Sequence, residues 1–337
     1  MYRVIMDAFG GDNAPAAVVE GAVKALSRFD DVSIILCGRE DAIREELKKH
    51  RYDAARMSVL HAADVIDCHD SPTLAIKRKK DSSLVKALEA VAAGEADAIV
   101  SAGSTGALLT GATLIVRRIK GVKRPALASL LPTRTGGWLM LIDCGANADC
   151  KPQYLQQFAV MASAYMQGVM GIKSPRVGLL NNGAEAEKGN ELTKAVYPLL
   201  EAAPVNFVGN CEAREILSGD YDVLVCDGFS GNVVLKYTEG LSATILAMLK
   251  DELMADTKSK IGALLAKPAF RRMKKKMDYT EVGGAPLLGI NGCVIKAHGS
   301  SDAKAFSSAV MQARQFLAAN INGTIAPAIE ALPDLKD

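Results

Sequence analysis

The sequence predicts an α/β fold in which helices flank both faces of a doubly wound, mostly parallel sheet. Two observations favour this fold. Short β-branched, apolar runs alternate with longer segments of helical periodicity, and several of the runs end directly in polar and glycine residues. In open sheets of this kind, ligands bind in the crevice at the carboxyl ends of the strands. We therefore expect the functional residues at those strand ends.

The composition is that of a globular protein. The chain has 337 residues, of which 49% are hydrophobic and 23% charged, which excludes a disordered or collagen-like chain. Since no linker rich in Gly, Ser or Pro divides the chain, we expect a single α/β unit over residues 1–337. The net charge of +2 gives no general reason to attract nucleic acid. The seven cysteines contain no C-x-x-C pair, and no apolar run is long enough to span a membrane, so we expect a reduced, cytoplasmic protein.

Eight apolar runs are predicted to form strands: Arg3 to Met6, Val32 to Cys37, Ala98 to Val100, Leu127 to Leu131, Leu139 to Ile142, Val177 to Leu180, Asn206 to Val208 and Val223 to Cys226. Helices are predicted from about Ala16 and, after the third run, up to about Ile119. Strand signals stop between Leu241 and Met277. Two or three successive helices are expected there, the last beginning at Pro268, as a helical excursion from the α/β body.

The first strand runs into Asp7, the glycine pair Gly10-Gly11 and Asp12, just ahead of a predicted helix. Backbone N–H groups converge at a helix start, and the helix dipole adds about 0.3–1 kcal/mol in favour of an anion. This pattern is typical of a phosphate site. The alternative is a tight turn whose helix is capped by Asp12 or Asn13.

The same pattern returns at Ser104 and Thr105, after the third strand. Their hydroxyls could hold phosphate or a developing oxyanion, or could simply cap the next helix. Further strand ends carry Asn147, Asn182, Asp227, Ser230 and Asn232. With the segment that leads from Gly283 to His298, these make six polar strand ends on one predicted rim, which favours a binding site over ordinary turns.

His298 lies between the run Val294 to Lys296 and a predicted helix start, the one histidine placed where a proton donor would be useful. No cluster of Cys and His has the spacing of a metal site, so none is expected. Neither G-x-G-x-x-G nor G-x-x-x-x-G-K-[ST] occurs, which argues against nucleotide cofactors of the standard kinds.

The segment Lys258 to Met277 combines basic residues with apolar residues at helical spacing. This pattern indicates a helix pair that contacts a membrane or an acidic protein, or else a surface hairpin whose apolar stripe packs on the body. The residues predicted to make that contact are Leu264, Leu265, Phe270, Arg271, Arg272, Lys274 and Lys275.

Together these motifs resemble the bacterial phosphate acyltransferase (PlsX) family. The resemblance rests on segments in the family's order: Asp7 to Asp12, Ser101 to Leu108, Asp143 to Asn147, Leu180 to Gly183, Cys226 to Asn232, Gly283 to Gly289 and His298 to Ser301. It implies a phosphotransacetylase-like and isocitrate-dehydrogenase-like fold. It also implies transfer of a long-chain fatty acyl group from acyl carrier protein to inorganic phosphate, with no cofactor.

The resemblance further implies a cytoplasmic homodimer held peripherally at an anionic membrane surface. Its acyl phosphate product would enter phospholipid synthesis through a downstream glycerol-3-phosphate acyltransferase. Two alternatives remain open: a phosphotransacetylase-like enzyme that uses short acyl-CoA, and a non-enzymatic adaptor at the membrane surface.

This chemistry requires phosphate to be held against a thioester carbonyl whose oxygen becomes negative, and it requires no enzyme nucleophile. From their positions we expect catalytic roles for Ser104, Asn147, Asn182, Lys188, Asn232 and His298. We expect the phosphate to contact Asp7, Gly10, Gly11, Asp12, Thr105, Asp227, Ser230 and Lys236.

Overall fold

The computed structural model describes residues 1–277 and 283–333, and for residues 274–277 it describes the backbone alone. Its strands are β1 (Tyr2–Asp7), β2 (Val32–Gly38), β3 (Met57–His61), β4 (Ala98–Ser101), β5 (Ala126–Pro132), β6 (Trp138–Ile142), β7 (Arg176–Asn181), β8 (Asn206–Glu212), β9 (Val223–Val225), β10 (Ala285–Leu288) and β11 (Cys293–Lys296).

Its helices are α1 (Ala16–Arg28), α2 (Glu40–Leu47), α3 (Pro72–Arg78), α4 (Ser83–Ala92), α5 (Thr105–Gly111), α6 (Pro152–Gly168), α7 (Glu191–Glu201), α8 (Gly228–Met254), α9 (Thr257–Met277), α10 (Ala303–Ala318) and α11 (Ile321–Glu330). A π-helical turn over Ala112–Val116 continues α5.

The described strands form one sheet in the order β3-β2-β1-β4-β11-β10-β5-β6-β9-β7-β8. Neighbouring strands are parallel except at three junctions near the centre, where β10 pairs antiparallel with β11 and β5, and β5 pairs antiparallel with β6. The predicted mostly parallel α/β fold is confirmed. All eight predicted strands are present.

Successive residues of the inner strands are buried on opposite faces of the sheet. In β1, Val4 and Met6 belong to the larger apolar cluster, whereas Ile5 belongs to the cluster on the other face. Strands that are buried on both faces are continuously apolar, which is why the sequence identified them readily. Strand β3 lies at the edge of the sheet with its residues only partly covered, so its sequence lacks that signal.

Helices α1 and α10 pack tightly against each other on one face. A Cβ atom on Gly21 would lie 2.4 Å from the Cβ of Phe306, so only glycine allows this approach. The packing matters for function because the loops preceding both helices, residues 8–15 and 297–302, meet at the same edge of the sheet. Asp12 donates its backbone N–H to the carbonyl of Gly299 at 2.8 Å.

Helices α8 and α9 form the predicted hairpin, with two differences from the prediction. The first helix begins at Gly228 and runs unbroken through Leu241, and Pro268 lies inside α9. The start of α9 is instead set by Asp256, whose carboxylate accepts hydrogen bonds from the backbone of Lys258 and Ser259. Such a cap is worth about 1 kcal/mol and outweighs the start signal of a proline.

Candidate active site

A cleft of about 470 Å³ opens at the carboxyl ends of the central strands. Its apolar lining includes Leu127, Leu130 and Leu235. The polar and charged lining residues are Thr105, Ser129, Asn232, Lys236, Glu239, Lys296, His298, Ser300, Ser301 and Asp302.

Three helices begin beside this cleft. Thr105 is the first residue of α5, Asp302 caps α10, and Asn232 lies in the second turn of α8. Helix N-termini carry partial positive charge and N–H groups without partners inside the helix, so their convergence favours an anion.

Asp7 forms a buried hydrogen-bond network beneath the glycine turn of residues 10–11. Its carboxylate is buried and accepts hydrogen bonds from the hydroxyls of Ser83 at 2.6 Å and Ser101 at 2.7 Å. Burial raises the pKa of Asp7, while these hydroxyls and the charge of Lys296 oppose that rise. A Cβ on Gly10 would lie 2.6 Å from the Asp7 carboxylate, so the carboxylate shapes the glycine turn from beneath.

Lys296 is the cation of the cleft that is best suited to bind phosphate. It ends β11, lines the cleft, and donates its Nζ to the carbonyls of Ala102, at 3.3 Å, and Ala297. Burial lowers its pKa from 10.5 to about 8, although the carboxylates of Asp7 and Asp12 act in the opposite direction. At neutral pH the side chain is therefore mostly an ammonium, and a bound dianion would favour that charge.

A buried carboxylate, Asp143, holds the loop of residues 143–147 in place. It accepts hydrogen bonds from the backbone N–H groups of Leu127, Gly145, Ala146 and Asn147 at 2.7–3.2 Å. The Asn147 amide donates to the same carboxylate at 2.9 Å and to the Pro125 carbonyl at 2.8 Å. Burial raises the pKa of Asp143, and these donors counteract the effect.

Asn232 faces that loop from α8. A Cβ on Gly145 would lie 3.5 Å from the Asn232 Cβ, so the loop glycine leaves room for the asparagine at the cleft. One turn further along α8, Lys236 forms a 2.8 Å ion pair with Glu239. The start of α8 is fixed by Asp227, which accepts from the backbone and the hydroxyl of Ser230 at 2.8 and 2.9 Å.

His298 lines the cleft, with its Nδ1 2.8 Å from the Ser300 hydroxyl. The backbone N–H of Ser300 also points at Nδ1, at 3.3 Å. Because a backbone N–H can only donate, Nδ1 is an acceptor and the neutral ring carries its proton on Nε2. Asn13 connects this loop to the glycine turn, since its amide donates to the carbonyls of Ser300 and Ser301.

The structure brings four of the predicted site residues to the cleft: Thr105, Asn232, Lys236 and His298. Gly10, Gly11 and Asp12 lie in the neighbouring turn, tied to the His298 loop through Asp12 and Gly299. Neither Asp12 nor Asn13 caps α1 with its side chain, so the predicted cap is wrong, whereas a tight turn is present at this segment. Ser104 does cap α5, accepting from the N–H of Ala107 at 3.4 Å.

Other predicted residues lie elsewhere. Asn182 and Lys188 are exposed after β7 and are not among the lining residues of the cleft. Asp7 and Asn147 serve the buried networks described above, and Asp227 and Ser230 bond to each other at the start of α8. The roles assigned to these residues stay predictions.

The hairpin residues are largely exposed to solvent. Leu264 and Leu265 are 67% and 78% exposed, and Arg271 and Arg272 are exposed as well, whereas Phe270 is partly buried. The side chains of Lys274 and Lys275 lie outside the described residues.

Sequence reasoning missed Lys296 and Ser83 as parts of the site, and it assigned no role to Asp143 and Ser101, although both lie in the quoted strand-end segments. Lys296 did carry a signal, since it ends an apolar run two residues before His298. One lining residue of the cleft is a cysteine. Cys144 lines the cleft, but burial raises its pKa far above the ordinary thiol value, so it is not a thiolate nucleophile at neutral pH.

Within residues 1–277 and 283–333, no group of three or more His, Cys, Asp or Glu side chains is arranged as a metal site would be. Over the same ranges, no helix combines the length and apolar character needed to cross a membrane.

Comparison with known proteins decides the family. The profile of the family described as "Fatty acid synthesis protein" matches residues 2–323. A phosphate acyltransferase of Clostridium perfringens is 54% identical over 315 residues, covering 93% of both chains. A phosphate acyltransferase of Clostridium botulinum is 53% identical over 311 residues, covering 92% of both. This chain belongs to the phosphate acyltransferase family. It is accordingly an acyltransferase.

Solved structures similar to this phosphate acyltransferase family member share its fold. The EutD phosphotransacetylase from Staphylococcus aureus matches with a TM-score of 0.57 at 18% identity, over 98% of this chain and 94% of that one. A branched-chain phosphotransacylase from Enterococcus faecalis V583 matches with a TM-score of 0.55 at 14% identity, over 94% and 100%. At these identities the likeness concerns the fold alone.

Proposed function

We propose that this protein transfers a long-chain fatty acyl group from the thioester of acyl carrier protein to inorganic phosphate. The product is an acyl phosphate that supplies phospholipid synthesis through a glycerol-3-phosphate acyltransferase. The observation that carries the proposal is the composition of the cleft. A partly buried ammonium and three helix N-termini share the cleft with apolar side chains, so its lining suits both an anion and an acyl chain.

In the reaction, a phosphate oxygen attacks the thioester carbonyl carbon and forms the new C–O bond. The carbonyl oxygen becomes negative, and its collapse breaks the C–S bond and releases the thiolate. Lys296 balances the charge of phosphate, and the amide of Asn232 donates to the developing oxyanion. The leaving thiol has a pKa of about 8.5, so little help from an acid is required.

His298 and the N-terminus of α10 form the rest of the phosphate rim. With its proton on Nε2, the imidazole donates a hydrogen bond towards the cleft, while Nδ1 is held by the Ser300 N–H. Gly10 and Gly11 keep the adjoining turn close to Asp7 and to the Gly299 carbonyl, where a side chain would not fit. These residues position phosphate and take no covalent part.

The direct test is to incubate purified protein with phosphate and either palmitoyl carrier protein or acetyl-CoA, and to identify the acyl phosphate by mass spectrometry. We expect palmitoyl phosphate from the carrier protein and little acetyl phosphate. Preferential acetyl phosphate formation would support the phosphotransacetylase-like alternative. Absence of both products would leave the adaptor alternative.

The exposed residues of α8 and α9 suggest where this enzyme acts and how it assembles. We propose that the exposed leucines and arginines of α9 hold it at an anionic membrane surface, where an acyl phosphate would partition. We also propose a homodimer through α8. Its apolar residues Val233, Tyr237, Leu241, Ile245 and Met248 are all exposed, in a stripe of the kind that protein interfaces cover.

A further inference from the structure

A second pocket, of about 410 Å³, borders the 143–147 loop, as the cleft does. Four of its lining residues are cations, Arg118, Lys123, Arg124 and Lys151, and none of its lining residues is acidic. We refer to it as the basic pocket. A concave surface lined by charges of one sign attracts an ion of the opposite sign.

The basic pocket and the cleft are adjacent, because two segments run from one to the other. Helix α5 carries Thr105 at the cleft and Leu109 at the basic pocket, one turn or about 6 Å later. The 143–147 loop presents Gly145 to the cleft and Asn147 to the basic pocket. An elongated ligand that passes over these segments would occupy both.

Most of these cations are carried by residues 117–124, which include five Arg or Lys residues and no acidic residue. This segment, the basic loop, is firmly anchored. Ile119 and Val122 are buried in the core, and the Ile119 N–H donates to the Gly289 carbonyl at 3.0 Å. The pocket-lining cations flank these anchors: Arg118 precedes Ile119, and Lys123 and Arg124 follow Val122.

The buried amide of Gln157 fixes the other half of the basic loop. It accepts from the N–H of Lys123 at 2.8 Å and donates to the Gly121 carbonyl at 3.0 Å. The Arg124 guanidinium lies 5.8 Å from the centre of the Tyr154 ring, a cation–π distance. The pocket is thus shaped before any ligand arrives, which lowers the entropic cost of binding.

We propose that the basic pocket binds the phosphate group of a phosphopantetheine arm while the thioester at the other end of that arm enters the cleft. This inference rests on the proposed function, because it assigns the donor side of the same reaction. Phosphopantetheine is shared by acyl carrier protein and coenzyme A. Arginine and lysine are the side chains that recognise such a phosphate.

The binding test compares two probes that differ only in the phosphate, 4′-phosphopantetheine and pantetheine. Calorimetry is done with saturating inorganic phosphate, so that the anion site of the cleft is filled. We expect the wild type to bind phosphopantetheine about tenfold more tightly than pantetheine, and the variant Lys123→Gln/Arg124→Gln to lose that difference. Lys120→Gln is the matched control, since Lys120 belongs to the basic loop but does not line the pocket.

The kinetic test measures KM for acyl carrier protein and for acyl-CoA. We expect the double variant to raise KM for every donor that the wild type uses, with kcat, KM for phosphate and the melting temperature unchanged. A rise for both donors assigns the pocket to the shared phosphate in each, and a rise for one identifies the donor that reaches it. Equal binding of the two probes by wild type would overturn the proposal.

The two proposals fail separately. If no thioester yields an acyl phosphate while wild type still prefers phosphopantetheine, the proposed function is wrong and the basic pocket keeps its ligand. If acyl phosphate forms and the double variant behaves as wild type in both tests, the pocket assignment is wrong and the function stands.

Discussion

Lys296 has opposite effects on function and on stability. Its pKa is about 8 in the folded protein and 10.5 without burial, so the unfolded chain binds more protons between those two values. Folding stability therefore rises as the pH increases from about 8 to 10.5, and the buried ammonium destabilises the protein at neutral pH. A site that keeps such a charge gains anion binding from it.

We predict that Lys296→Met raises the free energy of unfolding at pH 7 by roughly 1–2 kcal/mol. Part of the gain is offset, because the carbonyls of Ala102 and Ala297 lose a donor. Urea unfolding at pH 7 and at pH 10.5 measures both effects, and the rise in stability over this pH range should be absent in the variant.

The same substitution should lower kcat/KM for phosphate by about 10²–10³, the usual effect of removing one charge-stabilising donor. In wild type, kcat/KM should fall as the pH rises through about 8, where Lys296 loses its proton. Lys24→Met, on the exposed side of α1, is the control and should change neither quantity. Full activity in Lys296→Met would remove this lysine from the mechanism.

Asn232 and Ser104 should respond differently to alanine substitution, because only Asn232 lines the cleft. We predict that Asn232→Ala lowers kcat by about 10²–10³ with an unchanged melting temperature. Ser104→Ala should cost about 1 kcal/mol of stability, since its hydroxyl caps α5. Steady-state kinetics and thermal unfolding of both variants check this. An active Asn232→Ala enzyme would contradict the oxyanion role.

At the scale of elements, the hairpin offers two kinds of membrane contact, apolar and charged, which can be tested separately. Leu264 and Leu265 are exposed apolar side chains, and burying part of each in lipid should contribute of order 1 kcal/mol. We predict that Leu264→Ser/Leu265→Ser weakens binding to anionic vesicles about 30-fold while turnover with soluble substrate is retained. Sedimentation with phosphatidylglycerol vesicles measures the change in binding.

Leu74→Ser, an exposed leucine on α3, is the matched control and should leave vesicle binding unchanged. Arg271→Glu/Arg272→Glu should also weaken binding, with the loss disappearing at high salt because the attraction is screened. If wild type does not sediment with these vesicles at low salt, α9 has no membrane role.

At the scale of the whole molecule, α8 has far more apolar surface than the monomer covers. Of its 27 residues, Gly228 and Gly231 alone are buried. We predict that wild type sediments at twice the 35.6 kDa chain mass, and that Ile245→Glu/Met248→Glu converts it to monomers. Analytical ultracentrifugation measures the mass of each protein and so distinguishes the dimer from the monomer. Lys250→Glu, exposed on the same helix, should remain dimeric. A dimeric double variant would place the interface elsewhere.

The sequence by itself determined where the strands lie and which rim segments meet. Inner strands such as β1 and β4 are buried on both faces, so their local composition is sufficient to identify them. Thr105, Asn232 and His298 follow such strands, and parallel packing brings their loops to one edge. The fold class and the location of the site were predictable for this reason.

The tertiary structure alone decided which polar residues form the cleft. Strand order is non-local: β11 pairs with β4, which sets Lys296 beside Ser101. Strand β7 lies beyond β9, and the exposed Asn182 and Lys188 that follow it are not part of the cleft lining. The basic loop joins Lys151 in one pocket only through folding. Local periodicity reports burial, whereas the neighbours of a side chain depend on packing between segments far apart in the chain.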